Sequence, residues 1–257
     1  MTDSIRAVDR ALDVLLCFSR QTPVLSMTQI AEMVQMHKST DHRLLLTLEK
    51  KRFVKRDAVT GLYRPGIRLL QLASLTRENN DVRQVAAPFM RRLQEQEQET
   101  IDLSVFDGME VVFLDVLESP QRIRLAAAPG QRLPAFCTAS GMAFLAYMPE
   151  DAVCKILACG MPRYTEFTPT ALEDVLANLQ EVRARGFAFS EQEYEDGINA
   201  VGAPILDAAG QPIAAIAVAG PAYRLTVERM RAIGPSVTAT AQDIARELEV
   251  ANPAATS

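Results

Sequence analysis

The stretch that decides the fold of this 257-residue chain is LSMTQIAEMVQMHKSTDHRLLLTLEKKRFVKRD at residues 25–57, continued by TGLYRPG at residues 60–66. Ser26 followed by Gln29 fits a capping box, which predicts that a helix begins at Ser26. After a short connection, the spacing of Leu44, Leu45 and Leu48 predicts a further helix from Ser39 to about Lys51. Two helices joined by a short turn indicate a helix-turn-helix.

The outward face of the helix at 39–51 carries short polar side chains and one arginine, namely Ser39, Thr40, Arg43 and Thr47. Such groups read base edges in the major groove. Two short basic strands follow, at 53–56 and 62–64, around a turn at 57–61, and they place Lys55, Arg56 and Arg64 where they could reach phosphates. With a helix predicted over 5–19, residues 1–66 are predicted to form a winged helix-turn-helix domain. A generic three-helix core with solvated charges is the competing interpretation.

The charge distribution supports a nucleic-acid partner for this first segment. Residues 1–66 hold 11 Lys and Arg against 7 Asp and Glu, whereas residues 67–257 hold 16 against 25. A basic N-terminal segment followed by an acidic remainder is expected when only the first domain binds an anionic polymer such as DNA. A chance fluctuation in a short segment would look the same.

Composition excludes several classes of protein. Apolar residues make up 48% of the chain, which excludes global disorder, and the sequence contains no apolar run of the length that a membrane span needs. The N-terminus does not resemble a signal peptide, and the four cysteines form no paired framework, so a cytoplasmic protein with reduced thiols is expected. The two histidines, His37 and His42, lie early in the chain, and we expect neither a metal site nor a cofactor.

The remainder of the chain predicts a linker helix at 67–80, a second domain at 81–250 and a disordered tail at 251–257. Strands are predicted at 100–106, 111–117, 122–128, 187–190, 200–206 and 213–219, with a loop at 129–134. Helices are predicted at 82–99, 138–148, 151–159, 172–185 and 226–250. Six mostly antiparallel strands with helices on the faces of the sheet indicate the α+β fold class.

Catalysis is the first alternative function. Cys137, Ser140 and Ser190 are possible nucleophiles, but the second domain contains no histidine that could serve as their base. The acidic run at 191–196 has no ordered spacing, and Cys154 and Cys159 lack further metal ligands nearby in sequence. Phosphate-binding glycine motifs are absent from the sequence. We therefore do not expect an enzyme.

Several of these segments resemble the IclR family of bacterial transcription regulators. The resemblance lies in SIRAVDRALDVLLCF at 4–18, in the stretch at 25–57, and in TGLYRPGIRLLQLA at 60–73. It continues in LPAFCTASGMAFLAYMPED at 133–151 and in FSEQEYEDGINAVGAPILDAAGQPIAAIAVAGPAYRLT at 189–226. These stretches form two independent regions, one N-terminal and one C-terminal, and both match in the correct order.

The resemblance implies a repressor or activator that binds double-stranded operator DNA through its winged helix. It also implies a GAF-like C-terminal domain that senses a small organic acid or an aromatic effector, and assembly into a homodimer or a dimer of dimers. Lys38, Ser39, Thr40 and Arg43 stand at the family's recognition-helix positions. The linker helix would pass the effect of the ligand to the DNA-binding heads.

For the effector site, the resemblance points to a helix start with small residues, Ala139, Ser140 and Gly141, whose N–H groups suit a carboxylate. Leu125 and Leu133 would line a wall, and Ser190 or Glu191 stands near a position that is often Asp. Ala200, Ala217 and Ala219 stand in a pocket region where some members carry hydroxyls or thiols at the last two positions. We expect these alanines to widen the pocket for a larger or more apolar effector, such as an aromatic or branched carboxylate, although they could simply pack the strands. A ligand sensor whose head binds a protein partner remains the alternative.

Overall fold

The structure is a computed structural model that describes residues 5–19, 21–35, 38–78 and 81–251. Inside the helices, the side chains of residues 38–42, 74, 76–78 and 81 lie outside this description. The chain forms two compact units, residues 1–80 and 81–257. No described helix has the length and apolarity to cross a membrane.

The described residues of the first unit form four helices and a two-stranded hairpin. The helices are α1 (Arg6–Leu16), α2 (Met27–Met33), α3 (Lys38–Lys50) and α4 (Ile67–Glu78), and the strands are β1 (Val54–Arg56) and β2 (Tyr63–Pro65). The predicted capping box is present, because Gln29 N–H donates to Ser26 Oγ at 3.2 Å and Ser26 N–H donates to Gln29 Oε1 at 2.8 Å. Leu25 forms an isolated bridge with Tyr63, which joins the segment before α2 to the hairpin.

One apolar core holds α1, α2, α3 and the hairpin together. Leu45 and Leu48 of α3 are buried as the spacing predicts, and Leu44 is half-buried. Leu45 and Leu48 pack in one cluster with Val14, Ile30, Val54 and Tyr63. This core leaves the opposite side of α3 and the strand residues that alternate with Val54 and Tyr63 on the surface.

The second unit is a six-stranded antiparallel sheet with helices on both faces, in the strand order β5-β4-β3-β8-β7-β6. The strands are β3 (Thr100–Asp107), β4 (Glu110–Leu117), β5 (Arg132–Pro134), β6 (Ala188–Glu191), β7 (Ile198–Leu206) and β8 (Pro212–Pro221). The helices are α5 (Asp81–Glu97), α6 (Ala139–Leu145), α7 (Glu150–Leu157), α8 (Leu172–Arg185) and α9 (Val227–Ala251). The predicted fold class, a helix-turn-helix domain followed by an α+β domain, is confirmed.

The two faces of this sheet carry side chains of different size. On β8, Ile216 and Val218 pack with α5 and α9 in one core, whereas Ala217 and Ala219 point to the other face. The same alternation holds on β7, where Val201 belongs to that core. Because strand side chains alternate between faces, the alanines of these strands leave room beneath α6 that larger residues would fill.

The strand predicted at 122–128 is wrong. Residues 118–131 connect β4 to β5 without regular structure, and the strand that pairs with β4 is Arg132–Pro134, inside the predicted loop at 129–134. Ile123 and Leu125 alternate with Arg122 and Arg124 and so imitate a strand, but Ile123 is exposed and Leu125 lines a cavity. The disordered tail was predicted for 251–257, of which 252–257 lie outside the described residues.

Candidate DNA-binding surface and ligand cavity

Arg43 and Thr47 lie on the exposed side of α3, one turn apart. The Thr47 hydroxyl donates to the Arg43 carbonyl oxygen at 2.8 Å, so its single proton is already used within the helix. Thr47 can therefore offer an oxygen lone pair and a methyl group to a partner, while Arg43 keeps its exposed guanidinium. The backbone at Lys38, Ser39 and Thr40 begins α3, but the side chains of these three predicted contacts lie outside the described part of the structure.

The wing brings two cations directly opposite each other. Lys55 on β1 pairs in register with Arg64 on β2, and both side chains are exposed. Like charges in direct cross-strand pairs are destabilising, so this pair gains stability when an anion lies beside it. Arg56 is used differently, because its guanidinium lies 5.7 Å from the centre of the Tyr63 ring and Nε donates to the Gly61 carbonyl oxygen at 3.3 Å.

The tip of the wing is ordered by one side chain. Asp57 Oδ1 accepts hydrogen bonds from Val59 N–H at 3.0 Å and from Thr60 N–H at 2.8 Å, and these bonds lower the pKa of Asp57. Gly61 follows with a φ of +71°, a conformation that glycine adopts at little cost. The turn predicted at 57–61 therefore has a definite geometry, which sets the positions of Lys55 and Arg64.

A cavity lies between the alanine-bearing face of the sheet, the start of α6 and the segment 118–131, and its empty space, including the part open to solvent, is about 610 Å³. Eight of the ten predicted effector residues line it: Leu125, Leu133, Ala139, Ser140, Ser190, Ala200, Ala217 and Ala219. These residues come from six separate parts of the chain, and the fold brings them to one place.

Gly141 and Glu191 do not line the cavity. A Cβ atom at Gly141 would lie 2.2 Å from both Cα and O of Ala135, so this glycine allows α6 to pack against the preceding backbone. Glu191 ends β6 with an exposed side chain. The N–H groups of α6 are also a weaker anion site than the sequence suggested, because this helix has only 7 residues.

Asp102 is the functional candidate that the sequence analysis missed. It lies on β3 opposite Ala217, lines the cavity and is 4% exposed, and its Oδ1 accepts a hydrogen bond from Ser140 Oγ at 3.0 Å. Burial raises the pKa of the Asp102 carboxyl to about 7, although the Ser140 hydrogen bond opposes this shift. The available signal was an acidic residue in the middle of the apolar strand pattern TIDLSVF.

Eight further residues complete the lining. They are mostly apolar or weakly polar, and sequence reasoning did not find them: Val111, Phe113, Ala127, Gln131, Thr138, Tyr194, Glu195 and Ile198. Two hydrogen bonds hold the backbone just before Tyr194 in place. Thr165 Oγ1 donates to the Gln192 carbonyl oxygen at 2.7 Å, and Thr168 Oγ1 donates to the Glu193 carbonyl oxygen at 2.6 Å.

A buried ion pair anchors the segment 118–131 over the cavity. Glu99 is 1% exposed and accepts two hydrogen bonds from Arg224, at 2.5 and 2.8 Å, and one from Arg229 at 3.1 Å. Arg224 also donates to the Ile123 carbonyl oxygen at 3.0 Å. Arg224 therefore connects the end of β8 to the segment that contributes Leu125 and Ala127 to the lining.

The candidate nucleophiles are poorly placed for catalysis. The Cys137 thiol is buried, and burial raises its pKa, which disfavours the reactive thiolate. Ser190 Oγ donates to the Cys137 carbonyl oxygen at 3.1 Å, and Ser140 Oγ donates to Asp102. Among the described residues no group of three or more His, Cys, Asp or Glu side chains could hold a metal ion.

A winged helix-turn-helix with exposed cations, joined in one chain to an α+β domain with a cavity, defines the class of two-domain winged-helix transcription regulators. The family description "Bacterial transcriptional regulator IclR C-terminal" matches residues 75–246, and "IclR helix-turn-helix domain" matches residues 7–58. The chain belongs to the IclR family of bacterial transcriptional regulators. The predicted resemblance is thereby confirmed.

Individual relatives agree with this assignment. The HTH-type transcriptional repressor AllR of Salmonella paratyphi A is 32% identical over 251 residues, which cover 97% of this chain and 92% of the relative. The crystal structure of an IclR transcriptional regulator from Alicyclobacillus acidocaldarius has a TM-score of 0.84 at 27% identity, covering 95% and 98% of the two chains. An IclR homologue from Microbacterium hydrocarbonoxydans, crystallised with 4-hydroxybenzoate, has a TM-score of 0.81 at 25% identity, covering 94% and 99%.

Proposed function

We propose that this protein is a cytoplasmic, sequence-specific regulator whose affinity for operator DNA changes when a small organic effector occupies the cavity of the second unit. The observation that carries the DNA-binding part is the set of exposed cations on α3 and the wing, Arg43, Lys55 and Arg64, around one winged-helix core. The cavity, lined by residues from both ends of the second unit's sequence, supports the effector part. A ligand can shift DNA affinity only by its difference in affinity for the two conformations.

The roles of the two basic groups differ in this proposal. Arg43, on the helix that would enter the major groove, is proposed to read a base edge together with Lys38, Ser39, Thr40 and Thr47. Lys55, Arg56 and Arg64 are proposed to meet the sugar–phosphate backbone, and the unfavourable pairing of Lys55 with Arg64 supports this role. Base contacts carry sequence preference, whereas phosphate contacts carry affinity and salt dependence.

The change Arg43→Ala is expected to reduce discrimination between the operator and scrambled DNA by about 1–3 kcal/mol, because a good base contact has that value. The double change Lys55→Gln with Arg64→Gln is the matched control, and it is expected to weaken both DNAs equally and to reduce the salt slope by about two. Fluorescence anisotropy with the intergenic DNA beside the protein's own gene, at two salt concentrations, measures both effects.

Three outcomes of this experiment would contradict parts of the proposal. If Arg43→Ala lowers the affinity for both DNAs equally, Arg43 contacts a phosphate and not a base edge. No effect of either change would remove these residues from the interface. No binding of the unchanged protein to any DNA at low salt would overturn the DNA-binding role and favour the alternative, a ligand sensor whose head binds a protein partner.

The proposed DNA-binding form is a homodimer, alone or as a dimer of dimers. Ile5, directly before α1, and Val8, Leu12 and Leu16 of α1 are exposed at spacings of three and four residues, and Leu16 is 79% exposed. An apolar stripe of this kind on a short helix supports pairing with a second copy. A dimer would present two copies of α3 to half-sites about 10 base pairs apart.

The change Leu12→Glu is expected to weaken this pairing by at least about tenfold, because it places a charge in the middle of the stripe. Sedimentation velocity over a concentration series measures the association. The matched control is Val59→Glu, an equally drastic change at the exposed wing tip, where the side chain is 95% exposed. If both variants associate like the unchanged protein, α1 does not form the dimer contact.

One observation supports an organic acid as the effector, and another opposes it. The 4-hydroxybenzoate complex of the Microbacterium relative supports the predicted organic acid. The two acidic residues in the lining, Asp102 and Glu195, oppose it. The alanines of β7 and β8, which leave space beneath α6, support the proposal that the effector is larger than a two-carbon acid.

A further inference from the structure

One leucine of α3 is not used by the core of the first unit. Leu46 is 47% exposed, although Leu45 and Leu48, on either side of it in sequence, are buried in that core. A single exposed leucine is common on protein surfaces and by itself indicates nothing. What distinguishes Leu46 is the set of residues that share its side of the helix.

Leu46 lies between two cations on the exposed side of α3. Because successive residues of an α-helix are about 100° apart, one arc of about 100° contains four exposed residues: Arg43, Leu46, Thr47 and Lys50. The described side chains of this arc include no acidic residue. The charge of the arc is therefore complementary to a nucleic acid, and Leu46 lies between its two cations along the helix axis.

The apolar part of this arc is larger than Leu46 alone. The Thr47 hydroxyl donates its proton to the Arg43 carbonyl oxygen at 2.8 Å, so Thr47 presents a methyl group and an oxygen lone pair. The side chain of Leu46 has no polar atom. Leu46 and Thr47 therefore offer a mainly apolar surface without a hydrogen-bond donor from their side chains.

When α3 enters the major groove, as the proposed function requires, Leu46 has to meet the edge of a base pair. Adenine, guanine and cytosine present polar atoms there, whereas thymine also presents a C5-methyl group. Covering a polar base atom with a leucine removes its water without supplying a hydrogen bond, which is costly. Covering a methyl group removes apolar surface from water on both sides and is favourable.

We infer that Leu46, together with the methyl group of Thr47, selects a thymine in the operator by contact with its C5-methyl group. The inference rests on the proposed function, because it concerns the same DNA-binding surface. Leu46 lies about 4.5 Å from Arg43 along the helix axis, and stacked bases are about 3.4 Å apart. The thymine is therefore expected within about two base pairs of the base that Arg43 reads.

Replacing thymine by uracil in the DNA tests the inference, because uracil lacks only the methyl group and keeps the base pairing. The intergenic DNA beside the protein's own gene is amplified once with dTTP and once with dUTP, and fluorescence anisotropy compares the two affinities at one salt concentration. The unchanged protein is expected to bind the uracil DNA at least about fourfold more weakly, which corresponds to one buried methyl group. Scrambled DNA prepared in the same two ways controls for the effect of methyl groups on DNA shape, and it is expected to differ by less than about twofold.

Three variants assign the contact. Leu46→Ala shortens the side chain to one methyl group and is expected to reduce the loss of affinity caused by uracil to below about twofold. Thr47→Ser keeps the hydroxyl that donates to the Arg43 carbonyl oxygen and removes only a methyl group, so it is expected to reduce that loss in part. Leu72→Ala is the matched control and is expected to keep the full loss, because Leu72 is 46% exposed but belongs to α4.

Equal affinity of the unchanged protein for thymine and uracil forms of the intergenic DNA would overturn the inference. Leu46 is exposed, so Leu46→Ala is expected to fold, and a full loss with uracil in that variant would overturn the role of Leu46. If Leu46→Ala instead weakens self-association in sedimentation velocity and keeps the full loss, Leu46 contacts a second copy of the chain and not DNA. A failure of the proposed function looks different, because the unchanged protein would then bind the thymine intergenic DNA no better than scrambled thymine DNA.

Discussion

Replacing Gly141 by alanine is expected to destabilise the second unit by more than about 3 kcal/mol, and therefore to lower its midpoint of thermal unfolding by roughly 10 °C. The added Cβ would lie 2.2 Å from Cα and O of Ala135, and these backbone atoms cannot rotate away as the end of a side chain could. Every residue of α6 is buried, so the helix cannot shift outward without opening the core on that face of the sheet.

Thermal unfolding followed by circular dichroism measures this loss, at matched protein concentrations because the protein is proposed to associate. Gly108→Ala is the control. Gly108 has a φ of +74°, and a methyl group added there would meet no atom of the described residues within 4 Å apart from its chain neighbours. That change is therefore expected to cost only the conformational strain of about 1 kcal/mol. Similar stability losses in the two variants would show that α6 can move away from Ala135.

Replacing Asp102 by asparagine is expected to stabilise the protein at pH 8 and to leave its stability near pH 4 almost unchanged. Burial raises the pKa of the folded Asp102 to about 7, compared with about 3.9 for an unfolded chain. The folded state therefore holds this proton more tightly, and the unchanged protein loses stability as pH rises from about 4 to about 7. Asparagine carries no proton to lose, so the advantage of Asp102→Asn grows by about 3 kcal/mol between pH 5 and pH 8.

Urea unfolding of both proteins at several pH values measures this difference. Burial also raises the pKa of Glu193 to about 7, but Glu193 is present in both proteins and its contribution cancels in the comparison. A difference in the free energy of unfolding that stays constant from pH 5 to pH 8 would show that Asp102 is ionised throughout, and that a solvent path or a cation compensates its charge.

The fold was predictable where local signals and the apolar pattern agree. The capping box at Ser26, the buried leucines of α3 and the strand pair around Asp107 and Gly108 are all encoded within a few residues of one another. The segment 118–131 was not predictable in this way, because Leu125 and Ala127 line a cavity and Ile123 is exposed, and none of the three packs against a neighbouring strand. An apolar periodicity predicts which side chains are removed from solvent, but it does not predict whether they pack against a strand or line a cavity.

The cavity was predictable in part. Eight of its residues follow from the family resemblance, whereas Asp102 belongs to a strand that lies far from the other signals in sequence and meets Ser140 only in the folded unit. Gly141, in contrast, was predicted to bind the effector and does not. A small residue at the start of a helix suggested a ligand site, but glycine is needed there because a Cβ atom would collide with the backbone of Ala135. A small residue in a sequence can therefore indicate either a ligand site or the close approach of two backbones.

The anchoring of the segment 118–131 by Arg224 has a consequence for the timing of a response. Releasing Ile123 breaks one charge-assisted hydrogen bond, worth about 1.5–3 kcal/mol, while the pair between Arg224 and Glu99 can stay intact. For a ligand that enters or leaves by displacing this segment, the need to break that bond would slow both steps by the same factor, of roughly ten to one hundred, and would leave the equilibrium occupancy unchanged. Ligand bound by this route would therefore stay in the cavity after the concentration of free ligand has fallen. Its residence time would be set in part by one hydrogen bond to the Ile123 carbonyl oxygen.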